Sequence, residues 1–138
     1  MKDQWKLLYG KKLVQLARAV ISRKLKLPAA TETEPDLSDF PSALLEEKRG
    51  VFVTLQKNGR LRGCIGSLEG RESVLEGVKH NAVNAAFHDP RFSPVGRTEM
   101  ADMDIEVSIL SEPKPLEYSD YKDLLAKLRP GIDGVIIR

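Results

Sequence analysis

The dipeptide Asn58-Gly59 sits between two runs rich in β-branched and aromatic residues, 51–57 and 60–67. A two-residue type I′ turn needs positive φ at both central positions, which Asn and Gly reach at little cost. The dipeptide therefore predicts a hairpin with strands at 51–57 and 60–67. So short a turn also sets a register: Lys57 opposite Arg60, Leu55 opposite Arg62, Val53 opposite Cys64. On that register Val51, Val53, Leu55, Arg62 and Cys64 share one face, and Phe52, Thr54, Leu61 and Ile65 the other. Both faces carry apolar residues, so cover on both sides is expected near Cys64.

Helical periodicity brackets the hairpin. Residues 3–27 place Tyr9, Leu13, Leu16, Ala17 and Val20 on one side, with Lys6, Lys11, Arg18 and Lys24 on much of the rest. Pro28 is the predicted stop. Residues 28–41, punctuated by Pro28, Pro35 and Pro41, read as loop, and 42–49 as a short helix. Ser73 and Glu76 make an S-x-x-E capping box for a helix over 72–88, which Pro90 ends. Its packing stripe is Val74, Val78, Ala82, Ala85 and Ala86. A second stripe holds Gly77, Asn81, Asn84 and His88.

Strict alternation over 103–110 predicts a third strand, with Met103, Ile105, Val107 and Ile109 on one side and Asp104, Glu106, Ser108 and Leu110 on the other. Residues 118–128 read as a helix with Tyr121, Leu124, Leu125 and Leu128 inward. After the Pro130-Gly131 turn, Val135, Ile136 and Ile137 read as the start of another strand, an odd place for a chain to stop. The fold class implied is α+β, a mainly antiparallel sheet with flanking helices, in one domain of 138 residues.

One cysteine leaves no intramolecular disulfide and suits a reducing compartment, so the cytoplasm is the expected location. No apolar run approaches the roughly 20 residues of a bilayer span, and no membrane partner is expected. Net charge is only +2, but residues 1–27 hold eight Lys/Arg against one acid, while 31–47 hold six acids and no Lys/Arg. That segregation reads either as a basic patch for nucleic acid or another polyanion or as a solvated helix beside an acidic loop.

The densest candidate chemistry is Arg62-Gly63-Cys64-Ile65-Gly66. Gly63 and Gly66 allow close backbone approach. An Arg two residues from a cysteine on one strand face can raise the thiolate fraction that a nucleophile needs. The alternative is that Cys64 is a small buried hydrophobe. In His88-Asp89-Pro90-Arg91-Phe92, His88 is a candidate acid/base and Arg91 a candidate grip on an anion. The other reading there is a structural helix end with Asp89 paired to Arg91. Glu106 is a candidate general base if its face borders a cleft, and Asn81 on the polar stripe a candidate ligand contact. No Cys-x-x-Cys or Cys/His cluster points to zinc or any other metal, and the sequence leaves any cofactor unknown.

Leu61-Arg62-Gly63-Cys64-Ile65-Gly66, Phe87-His88-Asp89-Pro90-Arg91-Phe92, Glu106-Val107-Ser108-Ile109-Leu110 and Pro130-Gly131-Ile132-Asp133-Gly134-Val135 occur in that order. The series resembles the AMMECR domain family, also called AmmeMemoRadiSam system protein A, over nearly the whole chain. The resemblance implies two unequal lobes with a cleft and the LRGCIG segment at the functional site. It also implies partnership with Memo-like and radical-SAM proteins in a modification pathway, with RNA or a nucleotide-like ligand in view. Family members carry further strand and helix past the counterpart of Arg138, which implies that the family's C-terminal elements are missing here. On this footing Cys64, Glu106 and His88 are the expected catalytic residues, and Arg62, Gly63, Gly66, Arg91 and Asn81 the expected ligand contacts. The leading expectation is an enzyme or enzyme component; the alternatives are a non-catalytic protein-binding module and an RNA-binding domain.

Overall fold

A computed structural model describes residues 2–28 and 34–137, with side chains from Tyr9 onward. Helix α1 (Lys2–Lys24) and the short α2 (Ser42–Glu46) precede strands β1 (Val51–Lys57) and β2 (Arg60–Gly66). Helix α3 (Val74–Phe87), a 3-10 turn (Arg97–Asp102), strand β3 (Met103–Ile109) and helix α4 (Tyr121–Lys127) follow. The strands form one antiparallel sheet in the order β2-β1-β3. The architecture is α+β, as the sequence pattern implied. No helix among the described residues is long and apolar enough to cross a membrane.

Asn58 and Gly59 take φ of 52° and 76°, both positive as the predicted turn requires. From there the register departs from expectation. Lys57 faces Arg60 and Gln56 faces Leu61, but a bulge follows, so that Leu55 faces Gly63, Thr54 faces Cys64 and Val53 faces Ile65. Arg62 is the extra residue. The reason lies in packing: Gly63 is buried against α3, where a Cβ would collide with the carbonyl oxygen of Ala85. The bulge brings the residue without a side chain to that contact.

The core lies on one side of the sheet. Val51, Val53 and Leu55 are buried with Leu13, Leu16, Ala17 and Ile21 of α1 and Val74, Val78, Ala82, Ala85 and Ala86 of α3. On the opposite face Phe52, Thr54 and Cys64 are half-buried, while Gln56, Leu61, Asp104 and Glu106 are exposed. Among the described residues no helix covers that face, so the expected cover on both sides is not found there.

Ser73 caps α3 by accepting the Glu76 N–H at 3.2 Å, as the capping box predicts. Helix α1 stops before Pro28: Lys26 adopts φ of 57°, and Leu27 N–H bonds to Ser22 O while Lys26 N–H bonds to Arg23 O. This is a Schellman ending built without glycine. Arg18, placed on the solvent side by periodicity, instead reaches the carbonyls of Met100 and Met103 at 3.2 and 2.6 Å. The side chain of Lys6 and loop residues 29–33 lie outside the described residues.

The C-terminal expectations fare less well. α4 forms, with Asp120 as its cap, but Tyr121 and Leu125 are 67% and 65% exposed rather than inward. Residues 135–137 belong to no strand. Among the described residues no helix or strand packs closely on this segment, and propensity alone does not settle it.

Candidate functional site

The hexapeptide is built on β2, an edge strand whose outer backbone groups have no strand partner. Cys64 directs its N–H and C=O away from β1. Its N–H donates to Asp89 Oδ2 at 3.0 Å, and its carbonyl accepts from Arg91 Nη2 at 3.4 Å. The Asp89 carboxylate, almost fully buried, also accepts from Arg91 N–H, Nε and Nη2 at 3.0, 3.1 and 2.9 Å. Arg91 first, and the Cys64 N–H second, hold this carboxyl far below the usual range. Asp89-Pro90-Arg91 thus stands in for a fourth strand and closes the edge.

Arg62 is committed elsewhere. Its Nε and Nη2 donate to Glu99 at 3.0 and 3.2 Å, and Nη2 also reaches Pro94 O at 3.3 Å. Glu99 in addition accepts from Lys57 Nζ at 3.3 Å and Gly96 N–H at 2.7 Å. Arg62, then the Gly96 N–H, then Lys57 bring the Glu99 carboxyl down to about 2. The guanidinium groups of Arg62 and Arg91 both lie over the Phe92 ring, 6.0 and 5.4 Å from its centroid.

The bulge separates the pair on which thiol activation rested. Cys64 shares the open face with Thr54, whose Oγ1 lies 3.2 Å from Cys64 Sγ. Arg62 turns with Lys57 toward Glu99 on the helix-covered side. The same-face placement of Arg62 and Cys64 is corrected by the pairing of Thr54 with Cys64. Glu106 does join Cys64: Thr54 pairs with Cys64 on one side and Glu106 on the other, giving a row across three strands, about 10 Å end to end.

The remaining candidates disperse. Asn81 is buried and donates Nδ2 to Val51 O at 3.1 Å, which pins α3 to β1. A Cβ on Gly66 would overlap Phe52 and the Val51 carbonyl, so this glycine serves packing. His88 is the C-cap of α3, and its exposed side chain has no hydrogen bond among the described residues. Among the described residues a small groove lies between Phe40, Leu44 and Ile109, and a larger one of about 290 Å³ between α1 and β3. Neither is lined by the hexapeptide. Among the described residues, no three His, Cys, Asp or Glu side chains gather to hold a metal.

Sequence reasoning missed Glu99 and Thr54. Thr54 needed the bulged register. Glu99 lies 37 residues from Arg62, and no local pattern links them.

The match to known proteins is decided by the AMMECR1 family model, which covers residues 14–138. The chain belongs to the AMMECR1 family. A family relative from Methanothermobacter thermautotrophicus is 41% identical over 128 residues, which is 93% of this chain and 65% of that protein. One from Methanopyrus kandleri is 42% identical over 132 residues, 94% of this chain and 61% of that protein. An uncharacterized AMMECR1-like protein from Pyrococcus horikoshii, known from its crystal structure, superposes with a TM-score of 0.70 at 38% identity. That superposition covers 85% of this chain and 58% of the other. The chain therefore spans under two-thirds of the length of these relatives.

Proposed function

We propose that this AMMECR1 domain is a non-catalytic docking module, and that a partner protein covers the sheet face bearing Cys64, Thr54 and Glu106. The bulge at Arg62 carries this reading. It sends the guanidinium to Glu99 and away from the sulfur, and Arg91 is likewise spent on Asp89 and the strand edge. No cation of the motif is left to grip a substrate anion. What the motif offers instead is a half-covered surface with Phe52 and Leu61 at its margins, Leu61 being 42% exposed, which suits a protein surface better than a small ligand. The partners in view are the Memo-like and radical-SAM proteins that the sequence resemblance implies.

The test is co-purification with a Memo-like and a radical-SAM protein of the same organism. A Thr54→Lys/Leu61→Glu double variant should lose capture by about tenfold or more, while Lys24→Glu, on exposed α1 surface, keeps it. Full capture by the double variant would overturn the reading.

One observation favours a second reading, thiol chemistry. Cys64 is only half-buried, bonded to Thr54, and shares its face with Glu106. It requires the native thiol to react with a disulfide probe at neutral pH faster than the unfolded chain does. A slower native reaction ends it.

A further inference from the structure

We draw no further inference here: the strongest candidate, the exposed basic cluster of Lys24, Lys26 and Arg97 at the C-terminal end of α1, is accounted for by the negative end of that helix, and nothing in the structure shows what covers it.

Discussion

Asp89 Oδ2 accepts the backbone N–H of Cys64 at 3.0 Å, so the loop after α3 and the hexapeptide strand form one hydrogen-bonded unit. Two stretches that look like separate candidates for chemistry are in this respect one device. The carboxylate takes the place of a neighbouring strand's carbonyl, and Arg91 takes the place of its N–H. A cysteine on an otherwise bare edge strand is thereby shielded from pairing with another chain.

Asp89→Asn should weaken that unit. The asparagine keeps an acceptor for one N–H but loses the charge that Arg91 and Cys64 jointly stabilise. Hydrogen exchange should show the Cys64 amide losing protection, together with a melting temperature lower by several degrees at pH 7. Because the carboxyl is held below its usual range, its stabilising effect is present above the unfolded value near 3.8 and is lost as pH falls toward the folded one. The gap between wild type and variant should hold at neutral pH and narrow in strong acid.

Glu99→Gln addresses the other arginine. A carboxyl brought from 4.5 to about 2 corresponds to at most about 3 kcal/mol, and partial solvent access trims this to about 2 kcal/mol. The sign is that of a depressed acid: the contribution is complete above roughly pH 5 and disappears between 4.5 and about 2. Urea titrations of wild type and variant at a series of pH values should converge at the acid end. A constant difference across that window would contradict Glu99 being the charged partner of Arg62 and Lys57.

What was legible in the sequence follows from range. The Asn58-Gly59 turn, the Ser73 cap and the alternation of β3 are decided by residues within a few positions of each other, and all three stand in the structure. The register past Leu61 was not legible, because it is set by where α3 lies over Gly63, a contact 22 residues distant in sequence. Arg18 looked like a solvent residue because periodicity cannot see the carbonyls of Met100 and Met103. The inward stripe assigned to α4 assumed a partner surface, and Tyr121 and Leu125 have none among the described residues. Of the candidate site, Cys64 and Glu106 do share a face, while Asn81, Gly63 and Gly66 hold the layers together.

Two glycines of the hairpin should fail in different ways. Gly59 has φ of 76° and open space around its Cα, so Gly59→Ala meets only torsional strain, about 1 kcal/mol. Gly63 has no left-handed φ, but a methyl there would strike the Ala85 carbonyl. α3 cannot withdraw without breaking the Asn81 bond to Val51, so Gly63→Ala should cost about 3 kcal/mol. Chemical denaturation of the two variants side by side separates the mechanisms. Equal losses would mean that α3 yields more easily than its packing implies.

The basic first helix bears on RNA. Its charge looked free in the sequence, yet Lys12 pairs with Asp39 and also bonds to the Asp36 carbonyl at 2.8 Å, while Arg23 pairs with Glu34 at 3.0 Å. Arg18 is turned inward to Met100 and Met103. The acidic loop thus lies against the helix and cancels part of its field, so a single-stranded RNA probe should bind weakly at physiological salt. An Asp39→Asn/Glu34→Gln variant releases two cations and should bind more tightly, with a steeper fall in affinity as salt rises, since each phosphate contact on a single strand adds about 0.7 to the slope. Tight binding by the unmodified chain, or a slope unchanged in the variant, would show that the RNA surface lies elsewhere than on α1.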